Sequence, residues 1–303
     1  MAAVTAAAMR DRVKNMVFAA MPTTRPYETP LATAGINASV TTIDVPTGTG
    51  TSWAVNDIGE FEEGEQFLVT AVSTDALTVI RGHAGTTAAS HAQNDIISQN
   101  SRFTVEQIDQ VIDDSVVDLG TELYKLHTIT DTYSSSTRWF PMDAAGDENI
   151  FEVIAVYHKP TGSDHPVGIW GWTFKDRVDA TGFTEDNGLF LSTGGGLGNA
   201  DTFYIATKKR YLVITDIDAA SPVIQVVAHF AVYKLLGMAE TVRTHDPGKR
   251  TDRTVQPGAE GRSSIWFLRE AIRLRDREET RLHKMERSLP VTRTGQRARR
   301  YVP

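Results

Sequence analysis

Hydrophobic positions change period several times along the chain, and each change marks a predicted element. Met9, Val13, Met16, Val17 and Ala20 recur every three to four residues, which predicts a first helix over Thr5–Met21, ended by Pro22. Pro22 to Gly35 has no period and reads as a connecting arm. From Ile36 to Ile97 the pattern becomes short β-branched runs: Val40–Val45, Gln66–Val72 and Leu77–Ile80. The turn residues Ser73-Thr74-Asp75 join the last two runs into a hairpin.

A capping box, Thr104 with Gln107, and a hydrophobic staple, Phe103 with Ile108, open a second predicted helix over Phe103–Leu126. Its apolar arc leaves Asp109, Asp113, Asp118 and Glu122 on an acidic outer face. A Ser/Thr-rich joint, Thr128–Thr137, precedes six short candidate strands at Arg138–Met142, Phe151–Tyr157, Val167–Phe174, Leu189–Leu191, Thr202–Ala206 and Tyr211–Thr215. Thr161–Asp164 and Gly194–Gly196 supply turns between them.

Ser221-Pro222 then caps a helix over Val223–Thr241 that is apolar on most faces. A long aperiodic loop, Thr244–Arg262, leads to a last helix over Ser263–Leu289, roughly 40 Å long. Its narrow stripe is Ile265, Leu268, Ile272, Leu282, Met285 and Leu289, and Pro290 stops it.

Charge divides the chain more sharply than its net value of -7 suggests. Residues 1–240 hold 15 Lys and Arg against 30 Asp and Glu, whereas residues 241–303 hold 16 against 8. An acidic body and a basic arm suit different partners. Val291–Pro303 carries Arg293, Arg297, Arg299 and Arg300 with no acidic residue, and it reads as a binding tail.

Few kinds of chemistry survive inspection. Cys is absent, so thiolate nucleophiles, thiolate metal ligands and disulfides are excluded. Gly248-Lys249 lacks the upstream glycine of a P-loop, and no Gly-x-Ser-x-Gly elbow occurs. His83 and His91 have no third ligand at a metal-binding spacing, so no metal is expected. Trp139, Trp170 and Trp172 suit either core packing or stacking on sugars, with Trp170 and Trp172 on one face if they share a strand. No catalytic constellation is found, and the expectation is a protein that is not an enzyme and needs no cofactor. The stretch Val223–Met238 is interrupted by Gln225, His229 and Lys234, and the N-terminus lacks signal-peptide features. A soluble chain that is not exported is expected.

One segment is familiar. The run from Glu65 to His91, with Arg81-Gly82, Gly85-Thr86 and Ala88-Ala89-Ser90-His91 after its two strands, resembles a small β module of tailed-bacteriophage structural proteins. The order of the remaining elements is similar to that of phage head-to-tail adaptors, also called connector or head-completion proteins. That order includes a capped helix ending in Leu123-Tyr124-Lys125-Leu126, a buried helix around Val226–Ala231, and a charged last helix with a tail ending Arg299-Arg300-Tyr301.

The resemblance implies an α+β fold: a helical adaptor core of about four helices with an inserted β module, a second antiparallel β region, a long C-terminal helix and an extended basic tail. The expected segments are 1–35 (helix and arm), 36–100 (β module), 101–137 (second helix and joint), 138–218 (β region), 219–289 (buried helix, loop and last helix) and 290–303 (tail). It further implies a homo-oligomeric ring of about twelve subunits under the portal protein, in the virion neck, meeting a tail terminator or other neck and tail proteins. DNA would pass through without specific binding. On this reading Arg293, Arg297, Arg299, Arg300 and Tyr301 dock on the portal, and Asp109, Asp113, Asp118 and Glu122 line the channel. The alternatives are a tail or baseplate structural protein and, from another class, a carbohydrate-binding or glycan-cleaving protein.

Overall fold

The computed structural model describes residues 3–22, 25–32, 35–120, 122–133, 139–142, 150–159, 166–176, 187–191, 197–198, 201–244 and 264–289. Among them are four α-helices and thirteen strands in three antiparallel sheets. The expectation of a helical adaptor core carrying a small β insert is therefore overturned: the fold is β-rich. Much of what reads as arm or joint in the sequence pairs as strand.

The chain divides into two compact units, 4–115 with 224–271, and 1–3 with 116–223 and 272–303.

In the first of these, α1 (Ala6–Ala20) starts at Thr5, whose hydroxyl accepts from the Ala8 N–H, and it buries Met9, Val13, Val17 and Ala20. The six-stranded sheet has β1 (Tyr27–Pro30), β2 (Thr42–Asp44), β3 (Ile58–Phe61), β4 (Gln66–Ser73), β5 (Ala76–Arg81) and β6 (Ile96–Gln99), in the order β1-β6-β3-β4-β5-β2. Strands β1, β3 and β6 escape the sequence reading because each is only four residues long, too short to display a period. Strand β1 lies inside the expected connecting arm. It is an edge strand, which tolerates a terminal Pro30. The expected hairpin is present, with Ser73 paired to Ala76 and Thr74 in the left-handed region. A core of Leu31, Ile36, Ile43, Val45, Trp53, Phe61, Phe67, Val69, Leu77, Val79 and Ile97 fills this sheet.

Helix α2 (Val105–Leu119) opens with both halves of the expected capping box. The Gln107 N–H donates to Thr104 Oγ1 at 3.2 Å, and the Thr104 N–H to Gln107 Oε1 at 3.2 Å. A second anchor was not legible: Glu60, buried in β3, accepts the Val105 N–H at 2.9 Å and a bond from Gln66 at 3.3 Å. Burial pushes the Glu60 carboxyl up from 4.5, and these bonds oppose that only in part. A carboxyl raised in the folded state contributes stability that is present below its unfolded pKa and lost as pH rises through the folded one. The advantage of Glu60→Gln over the natural chain should therefore grow as pH rises above 4.5, as read by urea denaturation.

The second helix ends earlier than its arc implies. A Cβ at Gly120 would stand 2.8 Å from the Tyr211 carbonyl oxygen, and the chain turns there instead. Leu123 to Leu126 leave the helix, and Tyr124 begins β7 (Tyr124–Thr132), whose β-branched Thr128, Ile129, Thr130 and Thr132 fit a pleated surface. The first half of the expected joint, Thr128–Thr132, is thus part of the edge strand of a four-stranded sheet, β10 (Val167–Gly168), β9 (Ile150–His158), β13 (Thr202–Arg210) and β7. A three-stranded sheet, β11 (Trp172–Asp176), β12 (Asn187–Leu191) and β8 (Trp139–Pro141), shares a core with it, through Phe140, Leu189 and Leu191 against Val153, Phe203 and Ile205. The expected strand Val167–Phe174 is broken at Gly171, which has φ of 77°. Tyr211–Thr215 is not a strand, and a 3-10 turn covers Ile214–Asp216. The turns expected at Thr161–Asp164 and Gly194–Gly196 lie outside the described residues.

Helix α3 (Val223–Thr244) has Ser221 Oγ accepting from the Val223 N–H at 3.3 Å. It buries residues on most faces, as its sequence predicts. Helix α4 (Ser264–Ser288) matches its expected span, but its buried line is Phe267, Ala271, Glu278 and Leu282. Ile265, Ile272 and Met285, half of the expected stripe, are exposed. The loop expected at Thr244–Arg262 lies, beyond Thr244, outside the described residues. No described helix is long and apolar enough to cross a membrane.

Candidate functional site

The residues that carry the phage-module resemblance converge on one buried ion pair. Arg81, at the end of β5, faces Glu65, just before β4, with side chains 5% and 2% exposed. Its Nε and Nη2 donate to the two Glu65 oxygens at 2.5 and 2.6 Å. The remaining N–H groups reach the carbonyls of Ala89 at 2.7 Å, Val40 at 3.2 Å and Asn37 at 3.3 Å. All five guanidinium donors are thereby used. Glu65 also accepts the Ala89 N–H at 2.7 Å and His91 Nε2 at 2.9 Å. Burial pushes the Glu65 carboxyl up, but the bonds from Arg81, Ala89 and His91 outweigh it and hold the group at about 2. Thr86 fastens the intervening loop by accepting the Gln66 N–H at 3.0 Å and donating to the His83 carbonyl at 2.9 Å.

His91 is 4% exposed and lies flat on Phe61, ring centroids 3.6 Å apart and planes 7° apart. Its Nδ1 makes no hydrogen bond, although Glu63 Oε2 is 3.2 Å away and Asp95 Oδ2 3.7 Å away. Sequence spacing could not reveal this trio. Glu63 comes from the turn after β3, and the four-residue step from His91 to Asp95 is made by a turn and not by a helix. His83 sits elsewhere, in a short 3-10 turn.

The four acidic residues expected on one face have separate fates. Both Asp109 oxygens take Arg10, at 2.9 and 2.7 Å, and Arg10 also donates to the Glu62 carbonyl at 2.8 Å. Asp113 and Asp118 are exposed on α2. Partial burial and the neighbouring Asp109 and Asp114 raise the Asp113 carboxyl. Glu122 falls beyond the end of α2 and pairs with Arg275 of α4. Arg293, Arg297, Arg299, Arg300 and Tyr301 lie outside the described residues.

A second polar cluster joins α4 to the four-stranded sheet. Glu286 accepts the Tyr124 hydroxyl and lies 2.9 Å from Lys208 Nζ, which is 3.1 Å from Glu152 and 4.6 Å above the Tyr124 ring. Burial and the Glu286 carboxylate raise the Tyr124 hydroxyl, so the phenol stays protonated. Burial pushes Glu286 up, but Tyr124 and Lys208 outweigh it and lower the group. The cluster clamps a helix to a sheet and presents no activated base or nucleophile.

The tryptophan pair is also separated. Trp170 is 57% exposed, between β10 and β11, whereas Trp172 begins β11 and packs against the core shared by the two smaller sheets. The two therefore do not form one stacking platform on a single strand.

No family profile matches the sequence, and no curated protein matches it.

Proposed function

We propose that the chain is a non-enzymatic structural protein of a tailed-phage virion, a head-to-tail adaptor that assembles as a ring beneath the portal and joins the DNA-filled capsid to the tail. The observation that carries this reading is the use made of the phage-module signature. Arg81, Thr86, Ala89 and His91 bind one another, Glu65 and the backbone, so the signature specifies a rigid block and not a reactive centre. Rigid β blocks suit a particle that must hold its joints while DNA passes.

Two features support assembly. Ile58, Ile80 and Ile96 are exposed on the six-stranded sheet, and Ile265, Ile272 and Met285 on α4, which gives neighbouring subunits apolar area to cover. A ring repeats one heterologous interface until it closes. The basic segment 291–303 offers an acidic portal surface a salt-sensitive contact. In this reading exposed carboxylates of α2, Asp113 and Asp114 among them, repel phosphate, while Asp109 and Glu122 serve chiefly to hold Arg10 and Arg275. The proposal does not rest on a helical core, which this fold lacks.

The test is binding to the portal protein of the encoding phage, followed by mass photometry. The full chain should add to the portal as a ring of equal copies, and removal of Val291–Pro303 should abolish that addition while leaving the circular dichroism spectrum unchanged. A full chain that never joins the portal would overturn the proposal.

A further inference from the structure

The environment of His91 is incomplete as a purely organic arrangement. Glu65 accepts hydrogen bonds from Arg81 and the Ala89 N–H, and its 2.9 Å contact to His91 Nε2 engages that ring nitrogen and leaves Nδ1 to the other side. An Nδ1 that bears no proton carries its lone pair in the ring plane, and stacking on Phe61 fixes that plane. The lone pair faces Glu63 Oε2 at 3.2 Å and Asp95 Oδ2 at 3.7 Å, two further acceptors. Three acceptors converging on one point repel one another. A proton on Nδ1 does not resolve this, because Nδ1 has no hydrogen-bond geometry to either carboxylate. A cation centred among the three needs alignment with no single partner.

We infer that Glu63, His91 and Asp95 bind a divalent metal ion of the zinc class, with Glu65 holding the histidine in its ligating tautomer. The spacing fits. Zinc–nitrogen and zinc–oxygen bonds of about 2.0 to 2.2 Å in a tetrahedron set ligand atoms about 3.4 Å apart. The three ligand atoms here lie within 4.8 Å of one another, and the two separations from His91 Nδ1, 3.2 and 3.7 Å, bracket that value. The donor set selects the metal class: one imidazole nitrogen with two carboxylates suits zinc, whereas calcium and magnesium favour all-oxygen shells.

The bond from Glu65 to the far nitrogen is the outer-sphere contact that ligating histidines commonly have. Access is open on one side, since the Glu63 side chain is 62% exposed and that of Asp95 24%, which leaves a coordination position for water. Bound metal would tie the turn after β3, the loop leading to His91 and the turn before β6 into one clip. The site does not depend on the virion reading.

The full chain, stripped with EDTA and desalted, is titrated with zinc chloride. Elemental analysis after a second desalting should find one zinc per chain, and the melting midpoint should rise by about 5 °C at saturating zinc. The double variant Glu63→Gln, Asp95→Asn should keep its circular dichroism spectrum and lose both the zinc and the rise. Should that variant fold poorly, Glu63→Gln alone, at an exposed position, should weaken zinc binding at least tenfold. Absence of zinc uptake by the natural chain, or equal uptake by natural chain and variant, would overturn the inference.

Discussion

Arg81→Ala should destabilise the unit that holds the six-stranded sheet by about 3 to 5 kcal/mol, the cost of breaking a buried ion pair from one side. The substitution removes five hydrogen bonds and leaves the Glu65 carboxylate buried at 2% side-chain exposure without its main partner. The carbonyls of Asn37, Val40 and Ala89 lose their donors as well. Arg81→Lys restores the charge but not the planar fork, and it should recover less than half of the loss. Urea denaturation of the purified chain reads both values. A loss under 1 kcal/mol in Arg81→Ala would mean that the signature arginine is not the keystone of the module.

Gly50→Ala should cost about 3 kcal/mol, at the upper end of overpacking penalties. A Cβ at this position would stand 1.7 Å from the Thr74 carbonyl oxygen, 2.7 Å from its carbon and 2.9 Å from the Asp75 Cα. These are backbone atoms of the β4–β5 turn, so no side-chain rotation relieves the clash. The same turn is held from the other side, because Asp75 Oδ1 accepts the N–H groups of Gly48 at 2.8 Å and Gly50 at 3.2 Å. Separation of the two segments would therefore break these bonds as well. Thermal unfolding followed by circular dichroism gives the cost, and an unchanged midpoint would contradict the close approach.

Much of the local structure is legible because it rests on neighbours in sequence. The Thr104–Gln107 box, the Ser221 cap and the hairpin around Thr74 each need only a few adjacent residues, and each is found where the pattern puts it. What the sequence hides is pairing between distant segments. Tyr27–Pro30 is aperiodic by itself and becomes a strand only because Ile96–Gln99 offers it an edge. Leu123 and Leu126 continue the α2 arc on paper, yet β13 pairs with Tyr124 to Thr132 along its whole length.

The candidate site divides in the same way. The run from Glu65 to His91 is recognisable as a string of letters, but its role in an ion-pair network needs carbonyls from Asn37 and Val40. Of the four residues expected on the acidic face, Asp109, Asp113 and Asp118 lie on α2 and Glu122 does not. The reading of that face as one surface fails to anticipate Arg10, almost a hundred residues before Asp109, and Arg275, far beyond Glu122. Glu63 and Asp95 carry no signal at all until the fold brings them to His91.

The proposed joining of heads to tails is tested most directly by electron microscopy of particles made without this chain. Disruption of the gene in the encoding phage should yield DNA-filled or leaking heads beside separate, complete tails, and the full chain supplied in trans should restore joined particles. Joined particles of normal or tip-altered morphology in its absence would contradict the account and move the protein away from the head–tail junction.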